Sequence, residues 1–517
     1  MFEKLRVHWR YLLLGPMMVT VFLTPFLLYN HISISSAESL LSYLILTVIG
    51  LLLGFLMVFG GTLMQVLSGA VFIALFVFYQ VDNPPTLPFG LRYAPIGLAV
   101  TVFLSLGLYF LGKNLEKFLF VVIGVLWLGA FSQVVPPIIN VVNSETAEQA
   151  DESLPPYIHI ILDEHIGIEG IPGYADPERN FSKSLTKKYL DQGFRVFGRA
   201  YSRTRDTRPS FASFLNFKPV HESLPFSKSV PNPMIRPNGL FEKLSEQGYI
   251  INILESNYYP YCDKESDYRL GKCINYRIDL IYPVNGPITI FSGLLEKMKI
   301  LNRLNEIANA LGLPQLEKID PMGPHVTLNT FYKHIDFLSE GKKGNAYFIH
   351  LFMPHTPIIF GEKCSFRFND WQSQYNIKDD GDYDAYLEQV KCSQKMVSDL
   401  LNKLRLGPES SPSTIIVQSD HGSRKTTLTS ATSAFFSTGD YIQDFSAFFA
   451  VRSPKHNPEY DRRPIALDEL MRTIVFGMEP LSKTGLSKFV CLTESRSRVC
   501  KRFTIPPFAH GERSVKW

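Results

Sequence analysis

The apolar positions of this 517-residue chain follow two regimes that meet near Val142. Before that point they form long unbroken runs; after it they alternate with polar residues or recur at helical spacing. Five runs between Tyr11 and Val142, centred near Met18, Ile49, Ala70, Val102 and Val125, are long enough for a helix to cross a hydrocarbon core of about 30 Å. No small-residue cleavage pattern follows Tyr29, so the first run reads as a span and not as a removable signal peptide. Lys4, Arg6 and Arg10 precede it and Lys113 and Lys117 separate the fourth and fifth runs, which assigns those segments to the cytoplasm. The loop Asn30 to Ser39 has neither Lys nor Arg, as an outer loop should. Arg92 before the fourth run is a mild exception, and the Gly60-Gly61 turn leaves little room between the second and third. An odd number of spans exports the remainder.

Ser144 to Pro156 is polar and acidic and ends in Pro155-Pro156, the composition of a linker. The expected organisation is a five-helix transmembrane domain over residues 1–143, a linker over 144–156 and an extracytoplasmic domain over 157–517. In that last part, helical patterns at Gly239 to Gln247, Val326 to Ser339, Tyr383 to Leu404 and Ile465 to Phe476 alternate with strand-like runs at Tyr249 to Leu254 and Ala346 to Phe352. Such alternation predicts an α/β domain with a mostly parallel sheet covered by helices on both faces. Ile288 to Leu313, with Lys297, Lys299 and Arg303 among leucines and isoleucines, fits a helix resting on a membrane surface or one packed on the domain.

Candidate chemistry collects where strands end. Ile415 to Gly422, I-I-V-Q-S-D-H-G, delivers Asp420 and His421 to the end of a β-branched run, where ligands gather in open α/β sheets. Carboxylate with imidazole suits Zn²⁺ or Mn²⁺, although Asp-His-Gly is also an ordinary strand-to-turn sequence. Tyr157 to Glu164 is a second such strand, which offers Asp163 as a third ligand and Glu164 as its fallback, with His159 packed within it. In Tyr201 to Phe217, a polar turn rich in arginine runs into Phe211, Phe214 and Leu215 at helical spacing. Thr207 stands at that helix start with Arg205 and Arg208 beside it, either as a cap or as a nucleophile facing a phosphate seat.

Taken together, these residues resemble the alkaline phosphatase and sulfatase superfamily, in particular its membrane-anchored phosphoethanolamine transferases, phosphoglycerol transferases and lipoteichoic acid synthases. The resemblance implies an alkaline-phosphatase-like α/β/α sandwich in which Asp163, Thr207, Asp420 and His421 hold a divalent metal, with Ser210 completing a T-x-x-S context. It also implies that Thr207 is the nucleophile. His355, in F-I-H-L-F-M-P-H-T-P-I, is similar to a substrate-contacting histidine; with Arg205, Arg208 and Ser210 it makes up the implied substrate-binding set. Sulfatases carry C/S-x-P-S-R, whereas the matching run here is Thr207-Arg208-Pro209-Ser210-Phe211, without the residue that becomes formylglycine and without the following Arg. Phosphoryl transfer through Thr207 is therefore expected in place of sulfate-ester hydrolysis. Phosphoethanolamine transferases carry another histidine soon after the Asp-His pair; Gly422 to Arg452 has none, which leaves the headgroup open between phosphoethanolamine and phosphoglycerol.

Composition adds three points. Hydrophobic residues at 46% and aromatics at 13%, beside 19% charged, suit a part-membrane chain. A net charge of +4 gives no case for nucleic-acid binding. All six cysteines, Cys262, Cys273, Cys364, Cys392, Cys491 and Cys500, follow the last apolar run, as expected of disulfides in an oxidising compartment, with sequential pairing the simplest connectivity. The expected protein is a bacterial inner-membrane transferase with a periplasmic catalytic domain. It would move a phospholipid headgroup through phospho-Thr207 to a glycan or glycolipid acceptor such as lipopolysaccharide, with zinc preferred and Mn²⁺ or Mg²⁺ also suited. A phosphodiesterase or phosphatase on the same scaffold, and a catalytically silent protein of envelope-polysaccharide assembly, are the alternatives.

Overall fold

The structure, a computed structural model, describes residues 8–80, 93–132, 137–143, 150–219, 238–259, 261–262, 268–280, 287–298, 301–310, 323–367, 382–405, 413–424, 442–481, 488–493, 500–505 and 508. Much of the linker, residues 144–149, lies outside them. The chain divides into two compact units, one of Met1–Ile138 with Asp279–Met322, the other of Ile139–Ile278 with Gly323–Trp517.

The first unit is helical and apolar. Trp9–Tyr29, with a break between Thr20 and Leu23, and Ala37–Phe59 are each long and apolar enough to cross a membrane. Their close approach is built from glycine: a Cβ on Gly15 would lie 1.9 Å from the Gly50 carbonyl oxygen, and one on Gly54 2.6 Å from that of Tyr11. Small residues that let backbones meet are the usual means of packing helices in lipid, where burial of apolar surface supplies no drive. Ser36 caps the second helix by accepting from the Ser39 amide at 3.2 Å. The structure bears out part of the expectation of five spans. Among the described residues two helices meet the length and hydropathy of a span, and Gly61–Phe76 and Thr101–Phe110 are shorter apolar stretches. Around the fifth run, the helix Leu115–Gly129 follows the turn Gly112–Asn114 and leads into the turn Ala130–Ser132. Ile139–Asn143, near the end of the apolar region, is a strand of the second unit.

The second unit is an α/β domain built on one nine-stranded sheet. Its strands are β1 (Ile139–Asn143), β2 (Tyr157–Asp163), β3 (Arg195–Phe197), β5 (Ile250–Ser256), β6 (Leu270–Tyr276), β7 (Asn345–Pro354), β8 (Thr414–Ser419), β9 (Phe449–Arg452) and β10 (Tyr460–Asp461), while β4 (Ala200–Tyr201) pairs with Ile465–Ala466 outside it. The order is β1-β6-β5-β7-β2-β8-β9-β3-β10. The run from β6 to β8 is parallel, as the alternating pattern predicts, and β1 and β9 pair antiparallel at either side of it. Every residue of β2 is buried, as expected of a strand covered on both faces. Tyr157 and Ile161 on one face join Phe211, Phe214, Phe241 and Phe348 in the main core cluster, which leaves Ile158, Ile160 and Leu162 for the other. Each such side chain contributes roughly 1.5–3 kcal/mol by leaving water. The helices Gly239–Glu246, Gly323–Leu338 and Asp382–Arg405 fall where the sequence periodicity places them, within a few residues.

Disulfides join Cys262 to Cys273 and Cys364 to Cys392, with S–S distances of 2.06 and 2.02 Å. Cys491 is disulfide-bonded as well.

Candidate metal centre

The parallel run brings three strand ends to one edge. β2 lies between β7 and β8, with Leu162 opposite Ser419 and Asp163 opposite Pro354, so Asp163, the residues just past β8 and the end of β7 meet there. Asp163, Asp420 and His421 are fully buried, and their ligand atoms all lie within 4.8 Å of one another. Two local devices hold them. The Asp420 carboxylate accepts the amides of Glu164 and His421, both at 2.9 Å, which ties the two strand ends together. Gly422 follows because nothing larger fits: a Cβ there would sit 1.8 Å from the Gln443 carbonyl oxygen.

These residues have the chemistry of a cation site. Both oxygens of Asp163 and Oδ2 of Asp420 are buried without a hydrogen-bond partner, a costly arrangement for carboxylates unless a cation completes it. His421 Nδ1 lies 2.9 Å from the Gly422 carbonyl, to which it donates, and this turns Nε2 into the cluster, 3.1 Å from Asp420 Oδ2. Burial lowers the His421 pKa, but Asp420 and Asp163 outweigh it and raise the value to about 9. Burial likewise pushes the Asp163 carboxyl up, yet His350 together with the charges of His355 and His421 holds it at about 2.

Thr207 begins the helix Thr207–Leu215, and its hydroxyl lies 3.1 Å from His421 Nε2. The N-cap position belongs to Asp206, whose side chain makes no capping bond, so Thr207 sits inside the helix start and faces the cluster. Ser210 plays another part. Its hydroxyl donates to the Asp420 carbonyl at 2.5 Å and accepts from Ser202 at 2.9 Å, bracing the ligand loop from behind. Arg205 reaches Asp444 at 3.7 Å, and the Arg208 guanidinium lies 5.3 Å from the Tyr259 ring centre.

Glu164, the fallback ligand, turns elsewhere. Its backbone is left-handed at φ 65° and is held by Tyr386, whose hydroxyl donates to the Glu164 carbonyl at 2.5 Å. Its carboxylate pairs with Arg424 and lies 3.5 Å from His355 Nε2, which in turn is 3.0 Å from Arg424. His355 is therefore placed beside the cluster in an acid–base group with a fixed cation. Two members went unread in the sequence. His350, on β7, is fully buried 3.4 Å from Asp163 Oδ2 against the Phe211 ring; only its place in a strand that ends at Pro354-His355 hints at a role. Arg424 has no motif, being the second residue past Gly422 in a turn.

The sulfatase family model matches residues 156–475, a stretch that holds every residue of this centre. The chain belongs to the sulfatase family. No curated protein matches it. Among solved structures it is similar to the C-terminal periplasmic domain of EcEptC from Escherichia coli in complex with Zn, with 12% identity, 66% of this chain and 86% of that chain covered and a TM-score of 0.36. It is also similar to a protein of the alkaline phosphatase superfamily from Vibrio parahaemolyticus, with 15% identity, 69% and 72% covered and a TM-score of 0.36. A third is BT1596, a 2-O GAG sulfatase, with 13% identity, 67% and 73% covered and a TM-score of 0.38.

Proposed function

We propose that this sulfatase-family chain is a metal-dependent transferase that moves a phospholipid headgroup, phosphoethanolamine or phosphoglycerol, to a glycan or glycolipid acceptor outside the cytoplasmic membrane of a bacterium. One observation carries the reading: a threonine hydroxyl at a helix start lies 3.1 Å from His421 beside two buried carboxylates. Threonine cannot become formylglycine, so the position suits direct attack on phosphorus. The Thr207 oxygen, giving up its proton to solvent, forms a bond to the donor phosphorus and the bond from phosphorus to the diacylglycerol oxygen breaks; an acceptor hydroxyl then displaces Thr207, its proton passing to His355 and the released Thr207 oxygen regaining one from solvent. His355 passes a proton to the departing oxygen, and Arg205 and Arg208 bind phosphate oxygens. Asp163, Asp420, His421 and Thr207 would hold a divalent ion, zinc by preference with manganese or magnesium also suited, which would lower the hydroxyl pKa and offset phosphoryl charge. The apolar helices of the first unit, two of which have the length and hydropathy of a span, would anchor the catalytic unit, with an odd number of spans placing it on the periplasmic face. Such a tether raises the effective concentration of lipid headgroups.

The deciding experiment is peptide mass spectrometry on Thr207 after full-length protein is mixed with phospholipid donor. A headgroup phosphodiester on Thr207, absent from Thr207→Ala, supports transfer. Bare phosphate on Thr207, with free headgroup released when no acceptor is present, favours a hydrolase. A folded protein that binds no divalent ion points to the catalytically silent reading.

A further inference from the structure

We propose that the helices Pro287–Lys297 and Leu301–Ala310 form a membrane-interfacial element that contacts phospholipid at the outer headgroup level; this rests on the membrane-anchored reading above. The chain leaves the α/β unit after Ile278, and Asp279–Met322 clusters with the N-terminal apolar unit before the chain re-enters at Gly323. Two contacts pin the excursion to one end of the first apolar hairpin. The Tyr29 hydroxyl donates to Asp279 Oδ2 at 2.5 Å, and Lys297 Nζ lies 4.9 Å from the Tyr29 ring centre. Tyr29 closes Trp9–Tyr29 and is followed by the loop without Lys or Arg that precedes Ala37–Phe59, so this is the outer end by charge. A tyrosine and a lysine at that level match the anchoring residues of the headgroup zone.

The excursion is too short to cross. Its helices have 11 and 10 residues, roughly 16 Å each against about 30 Å of hydrocarbon. Yet it is seated in apolar surroundings. Pro287–Lys297 packs on Ala37–Phe59 and on Leu301–Ala310, with Ile290, Leu294 and Leu301 buried. Ile288 remains 66% and Leu304 38% exposed. Ala37–Phe59, on which the excursion packs, itself exposes Leu40, Leu44, Val48 and Leu52. If those side chains face lipid, a bilayer surface covers Ile288 and Leu304 as well.

The test uses full-length protein in nanodiscs of phosphatidylethanolamine and phosphatidylglycerol that also carry doxyl-labelled phosphatidylcholine. All described cysteines are disulfide-bonded, so one introduced thiol takes a bimane label selectively. Ile288→Cys and Leu304→Cys report on the element, Val48→Cys on the span and Tyr174→Cys on the α/β unit. The expected result is loss of fluorescence at Ile288→Cys and Leu304→Cys, greater for a shallow doxyl group than a deep one, with the reverse at Val48→Cys and no loss at Tyr174→Cys. Quenching of Val48→Cys by lipid while both element sites respond only to aqueous iodide overturns the inference and leaves the anchored reading intact. Failure of Val48→Cys to respond to lipid overturns both.

Discussion

The hydroxyl of Thr207 lies 3.1 Å from Nε2 of His421, across 214 residues of sequence. The contact joins a helix start to the end of β8, and it places a hydroxyl against a nitrogen of the candidate metal site. Thr207→Ala should lower turnover by roughly a thousandfold or more, as loss of a nucleophile does elsewhere. Asp163, Asp420 and His421 remain as candidate ligands, so metal content by elemental analysis should fall little. Thr207→Ser keeps the oxygen and should retain measurable turnover. Wild-type rates in Thr207→Ala would remove Thr207 from the chemistry.

The buried carboxylates predict a loss of stability that grows when metal is added. Asp163→Asn removes a charge that, despite burial, His350, His355 and His421 hold ionised, with a pKa of about 2, so metal-free protein should melt at a lower temperature than wild type near neutral pH. With metal present the gap should widen, because a ligand at one hundred times its Kd stabilises by about 2.7 kcal/mol and the variant forfeits most of that. Scanning calorimetry with chelator and with zinc reads both differences. Equal responses to zinc in the two proteins would place the ion elsewhere.

The three candidate ligands were legible because each follows a β-branched run that stops on an acid or an acid-histidine pair, and the ends of buried strands are few. Their convergence was not. It depends on β2 lying between β7 and β8, a long-range order that periodicity does not encode. His350 escaped for a related reason, since a histidine inside an apolar strand looks like packing until its neighbour across the sheet is known. Arg424 stands in a turn where any polar residue is ordinary. Hydropathy located the apolar runs but not where they change character: Leu115–Gly129 passes into the turn Ala130–Ser132, and Ile139–Asn143, apolar by the same measure, pairs with β6 as a strand of the second unit.

Acid stability should depend on His159, which lies buried among Tyr157, Phe214 and Phe348. Burial holds its pKa down at about 3 from 6.5. Between those values the unfolded chain binds a proton that the folded chain refuses, so stability rises with pH through the window and is complete above 6.5. The slope reaches about 1.4 kcal/mol per pH unit. His159→Phe should flatten this limb of the stability profile measured by denaturant titration at several pH values. An unchanged slope would assign the acid lability to other groups, such as the buried His165.

The last relationship is between Glu164 and Arg424. The Glu164 carboxylate is 4% exposed and the Arg424 side chain 27%, so removing the arginine leaves a largely desolvated charge. Arg424→Met alone should destabilise by about 1–3 kcal/mol, reduced from the fully buried case because water reaches the guanidinium. Glu164→Gln with Arg424→Met should recover part of that loss, and the double-mutant cycle should give a coupling of the same order. The pair also sets the surroundings of His355, which lies 3.0 Å from Arg424 and 3.5 Å from Glu164. If His355 supplies the leaving-group proton, the pH profile of turnover should move in Arg424→Met even where saturation with donor is restored, whereas a purely structural pair would change stability and leave the profile in place.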